Sequence, residues 1–120
     1  MALNKAYFFV SFLVQIQHSY LEQNGIERNT SAGTASGIFQ FYSHHYLQVP
    51  VLSSVFVYDD TECSRECLRE INCFSFIVAV NSEQEKNLRV CELLATTNYY
   101  AQEKFTPRSS FHHFSTIRVS

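Results

Sequence analysis

Four cysteines constrain this chain more than any other feature. Cys63, Cys67 and Cys73 stand at C-x3-C-x5-C, and Cys91 follows after seventeen further residues. Zinc, reactive thiols and disulfides compete for such a set, and each makes a different demand. A structural zinc site takes four ligands, often as two close pairs. Cys63 and Cys67 form one pair, but Cys73 and Cys91 do not form a second. The doublets His44-His45 and His112-His113 offer imidazoles, yet neighbours on a strand point to opposite faces, so each doublet gives one ligand to a side. No metal is expected. A catalytic thiol needs an activating histidine or helix N-terminus. Cys63 falls in a first helical turn, but an even cysteine count leaves no spare thiol, and there is no C-x-x-C motif. Disulfides are the remaining chemistry.

Four cysteines allow three connectivities, and composition does not choose among them. A bridge from Cys63 to Cys67, within one helical turn, adds little constraint. Tying Cys63 to the distant Cys91 is worth roughly 3 kcal/mol in the chain-entropy picture, which would leave Cys67 for Cys73.

Disulfides imply an oxidising compartment, and the N-terminus agrees. Lys5 is followed by the apolar run Ala6–Val14 and then mixed residues to Ser19, the layout of a secretory signal peptide. The run is too short to cross a bilayer, which takes about 20 apolar residues. Residues 1–19 are read as a signal with a cut near Ser19, and no stable membrane insertion is expected afterwards. The alternative is a first buried strand or helix of a cytosolic domain. The small, polar, glycine-containing stretch "NGIERNTSAGTASG" lies within 20–37, which is read as a linker. It holds the sequon Asn29-Thr30-Ser31, a glycosylation site if the chain is secreted.

The domain proper is expected over 38–120. "IFQFYSHHYLQV" and "VLSSVFVY" have strand character, with Pro50 between them. Asp59 and Asp60 stop the second run and offer a helix cap. Cys63, Cys67 and Ile71 at i, i+4, i+8 then form one helical stripe. Glu62 with Arg65, and Glu66 with Arg69, are i, i+3 pairs on the outer face. "CFSFIVAV", "LRVCELL" and "FHHFSTIRV" return to strand character. The order predicts an α+β domain: an antiparallel sheet of about five strands packed around one helix.

A helix carrying C-x3-C, a third cysteine in "CFSF", a fourth in "CEL" and the upstream "YLQVPVLSSVFVYDDTEC" resemble the PAN/apple domain family. The resemblance covers about residues 38 to 118. It implies five antiparallel strands around a helix and the bridges Cys63–Cys91 and Cys67–Cys73, in agreement with the loop-closure preference. It also implies a non-catalytic module that binds an extracellular protein or glycan. Full apple modules carry a further bridge joining the domain ends; this chain has no cysteine outside Cys63 to Cys91, so it resembles the four-cysteine PAN type.

A net charge of −2 gives no electrostatic case for nucleic acid. The favoured reading is a secreted binding module without a cofactor, its contacts made by loops such as Asn81–Asn87 and Ala95–Ser110. Tyr99 and Tyr100 are candidate ligand contacts, since tyrosine joins an apolar ring to a polar tip; they could equally cover the core edge. Two alternatives are a matrix or adhesive component acting by self-association, and a small enzyme. The enzyme would use His44, His45, His112 and His113 with Asp59 or Asp60 as acid/base groups. It lacks a nucleophile motif such as G-x-S-x-G.

Overall fold

The computed structural model describes residues 6–13, 21–23, 25–29, 33–83 and 86–117. Five strands of the expected domain form the body of one antiparallel sheet: β4 (Thr34–Tyr42), β6 (Val51–Val57), β7 (Ser75–Ala79), β8 (Arg89–Leu94) and β10 (Phe111–Thr116). Their order is β4-β10-β7-β8-β6. The helix α1 (Asp60–Arg69) packs on one face of this sheet. A small pair, β5 (His45–Leu47) with β9 (Phe105–Pro107), completes the molecule's other layer.

The sheet has eight strands rather than about five, because the N-terminal segments join it. β1 (Ala6–Leu13) pairs along β4 from Ala6↔Phe41 to Leu13↔Thr34. β2 (Leu21–Gln23) and β3 (Ile26–Asn29) form a hairpin whose second strand also pairs with β4, through Ile26↔Gly37. Gly37 has both Val10 and Ile26 as partners, so β1 and β3 flank β4 on opposite sides.

The linker expected over 20–37 is thus a correction. Ile26, Arg28 and Ala35 are buried, and the inward residues alternate along β3 and β4. Small residues are needed there because the helix lies close. A Cβ on Gly37 would meet the Phe39 ring at 2.9 Å and Leu68 at 3.1 Å. Ala6–Leu13 of the apolar run form the strand β1, while Val14 and the expected cut near Ser19 lie outside the described residues. An apolar aromatic run satisfies a signal and an edge strand equally, so periodicity alone does not separate them.

The helix begins where the acidic pair placed it. Asp59 is extended, and its carboxylate accepts from the Glu62 amide at 2.9 Å. Glu62 in turn accepts from the Tyr58 amide, just before the cap, at 2.9 Å, so the cap satisfies one orphan helix donor and the amide preceding it. The buried stripe is Cys63, Cys67 and Leu68 with Ser64. Of the two expected outer-face ion pairs, Glu66 and Arg69 meet at 2.9 Å.

The bridges are Cys63–Cys91 and Cys67–Cys73, and no cysteine is free. Cys63–Cys91 ties α1 to β8, and Cys67–Cys73 ties the helix to the turn before β7. Around them Phe39, Phe76 and Phe114 form the centre of the core: Phe76 stacks on Phe114 at 4.7 Å and meets Phe39 edge-on at 5.0 Å. Beneath β5–β9 lies a second cluster of Leu47, Ile77, Leu94 and Ala101. β7 is covered on both faces, which explains its unbroken apolar run "FIVA".

Candidate functional site

After β8 the chain leaves the sheet in the loop Ala95–Ala101. The loop is pinned to its neighbours. The Ser75 hydroxyl donates to the Thr96 carbonyl, the Tyr99 hydroxyl donates to the Thr116 carbonyl, and the Asn98 amide donates to Ser115 Oγ at 3.4 Å. A turn closed by the Tyr100 amide on the Thr97 carbonyl at 3.2 Å presents Tyr100 outward.

The pinning leaves a pocket of about 200 Å³ lined by Phe74, Thr96, Thr97, Tyr99, Tyr100 and Thr116. Tyr100 is 68% exposed and meets Tyr99 edge-on at 5.8 Å. The two sequence candidates therefore divide. Tyr99 anchors the loop to β10, while Tyr100 offers its ring to solvent. Two buried oxygens beside them, Thr97 Oγ1 and Asn98 Oδ1, have no hydrogen-bond partner. Leaving a buried polar group unpaired costs about 1–3 kcal/mol, and both oxygens are enclosed by the fold rather than presented to the pocket. Thr97 has no signal in the sequence beyond its place beside the loop tyrosines, and Thr116, at the end of β10, has none.

The histidines also regroup. The His44 and His112 rings meet at 4.7 Å, while His45 and His113 each lie against Phe105. His44 occupies the left-handed region, φ 56°, at the turn between β4 and β5. Its amide donates to His112 Nδ1 at 3.0 Å, and its own Nδ1 lies 2.9 Å from the Ser109 carbonyl. Burial, then the neighbouring His44, lowers the His112 pKa, with Asp60 opposing. His45 stacks on Phe105 at 4.7 Å. His113 is fully buried with neither ring nitrogen bonded. Burial, then His45, pushes its pKa down to about 3.

Asp59 is committed to capping the helix. Asp60 lies beside Tyr7, Phe8, Phe41 and Phe114. One of its oxygens is buried without a partner, and burial raises its pKa against the pull of Arg89 and His112. The hydrogen bond at His112 Nδ1 comes from a backbone amide rather than a carboxylate.

Among the described residues no group of three or more His, Cys, Asp or Glu side chains is placed to hold a metal ion, and no helix is long and apolar enough to cross a membrane. Asn29 ends β3, half-buried, while Thr30 and Ser31 of its sequon lie outside the described residues. No protein-family model, curated protein or solved structure matches the chain.

Proposed function

We propose that this chain is a secreted, non-catalytic binding module of the PAN/apple type, and that it takes a carbohydrate group in the pocket at Tyr100. Secretion is supported by the signal-like Lys5 start and by two disulfides, which persist in oxidising compartments. Removal of residues 1–19 would take β1 away and leave the outer edge of β4 open. The module type is supported by the cysteine pattern, by its pairing and by the sheet-and-helix order.

The observation that carries the ligand class is the exposed Tyr100 ring on a pocket lined by Thr96, Thr97 and Thr116. A sugar ring presents an apolar face for stacking and hydroxyls for hydrogen bonding, which is the combination this pocket offers.

The test uses protein recovered from the medium of expressing cells, with its N-terminus sequenced. It is titrated with neutral, amino and acidic oligosaccharides. Saturable binding to one class is expected. Tyr100→Ala should weaken it about tenfold, whereas Tyr100→Phe, which keeps the ring, should stay near wild type. No saturable binding to any class, or a Tyr100→Ala variant that binds like wild type, would remove the carbohydrate reading. An intact Met1 on a cell-retained product would remove the secretion.

A further inference from the structure

Seven large apolar side chains are exposed among the described residues, and four of them, Val51, Leu52, Phe56 and Tyr58, lie on or directly after β6. β6 ends the sheet: β8 pairs one of its edges, and among the described residues no strand lies along the other. Natural proteins blunt such edges with lysine, proline or inward charges. Val51 to Tyr58 contains no charged residue and no proline. A bulge between Val51 and Ser53 disturbs only the start of the strand; from Ser53 to Val57 the register with β8 is regular. Beside the open edge runs a groove of about 460 Å³, with Phe56 and Tyr58 on the strand side and Glu62, Arg65, Glu66 and Arg69 on the helix side.

We propose that β6 is a self-association edge: β6 of a second copy pairs with it antiparallel about a two-fold axis at Ser54, joining the two sheets into one.

The strand's own order argues for a second copy as occupant. With Ser54 opposite itself, Ser53 faces Val55, and Phe56 of each copy reaches the bulged start of the other strand at Leu52. Cross-strand neighbours cover one another, so Phe56 of each copy comes against the bulged Leu52 segment of the other, twice about the axis. These are two of the side chains the single chain leaves in water. The two-fold axis also sets both copies of α1 on the same face of the joined sheet. A helix with both charge signs along its groove side meets its own copy without net repulsion, whereas a rim of one sign would oppose a two-fold partner. The interface is small, so association in the micromolar range is expected.

Sedimentation of the secreted protein from about 1 to about 300 µM, the range suited to an interface of this size, should show a monomer–dimer equilibrium. Ser54→Lys places two like charges opposite each other at the axis and should weaken the dimer at least about tenfold. Ser54→Cys should yield a covalent dimer under mild oxidation. Peptide mapping of that variant should find the introduced thiols of the two copies joined to each other, with both native bridges intact. A protein that stays monomeric throughout overturns the proposal. So does a dimer that ignores Ser54→Lys and gives no crosslink in the Ser54→Cys variant, and so does growth beyond a dimer. None of these results depends on sugar binding, so this proposal and the ligand reading fail separately.

Discussion

Arg28 does more for this fold than its place in a polar, glycine-containing stretch suggests. Its side chain is fully buried and reaches five backbone carbonyls at the end of α1. Nε donates to Leu68 at 2.8 Å, Nη2 to Cys67, Glu70 and Cys73 at 3.0, 2.9 and 3.2 Å, and Nη1 to Ile71 at 3.4 Å. A helix leaves its last carbonyls without partners and carries partial negative charge at that end. A planar guanidinium with five donors satisfies both demands at once. Burial lowers the Arg28 pKa to about 10, partly opposed by Glu70, so the group stays cationic at neutral pH. Arg28→Met should destabilise the domain by about 2–4 kcal/mol, because buried carbonyls lose charge-assisted partners. Arg28→Lys should recover only part of that, since an ammonium has three donors on one atom. Urea melts of both variants check the ranking. A cost below about 1 kcal/mol for Arg28→Met would mean that β3 only leans on the helix.

Among the elements, the two bridges constrain very different lengths of chain. Cys63–Cys91 spans 28 residues and Cys67–Cys73 spans 6. In the chain-entropy picture these closures contribute about 3–4 and about 2 kcal/mol. The Cys63→Ala/Cys91→Ala pair should therefore be the more damaging, since it also unties α1 from β8. The Cys67→Ala/Cys73→Ala pair should be weakened but folded, with Arg28 still holding the carbonyls of residues 67 and 73. Urea melts of the two double variants test this, and an inverted order would show packing outweighing loop length. The elements that carry these cysteines were legible in the sequence. Asp59 marks the helix start, the stripe of Cys63 and Cys67 marks its buried face, and the runs around Phe76 and Cys91 mark strands. β3 and the start of β4 were not legible, because Ile26 and Ala35 are too few to set a period and Arg28 reads as a surface charge until its partners are seen. β1 is ambiguous for a different reason: "AYFFVSFL" meets the demands of a signal core and of an edge strand alike. Of the candidate site, the tyrosines were legible as a pair, but only folding separates Tyr99, bonded to Thr116, from the exposed Tyr100.

For the molecule as a whole, His113 sits where its two layers meet. It lies on β10 in the main sheet, 5.3 Å from the ring of Phe105 on β9 and 5.9 Å from that of Tyr42. Nothing bonds its nitrogens, so a proton added there would be a buried, unsolvated charge. The folded state holds its pKa down at about 3, against an ordinary 6.5. Between those values the unfolded chain binds the proton and the folded chain does not, so stability is present above pH 6.5 and declines as the pH falls. The slope approaches about 1.4 kcal/mol per pH unit, which amounts to about 2 kcal/mol between pH 7 and pH 5. His112 acts in the same direction, its pKa being lowered too. Asp60 acts in the opposite one: its raised pKa favours the folded state in acid, a contribution lost as the pH rises. His113→Phe places a ring of similar size among Phe105 and Tyr42 and removes the titrating group. Urea melts at pH 7, 6 and 5 should show a steep acid loss for the wild type and a flatter profile for His113→Phe. Equal slopes in the two proteins would move the acid sensitivity away from the seam between the layers.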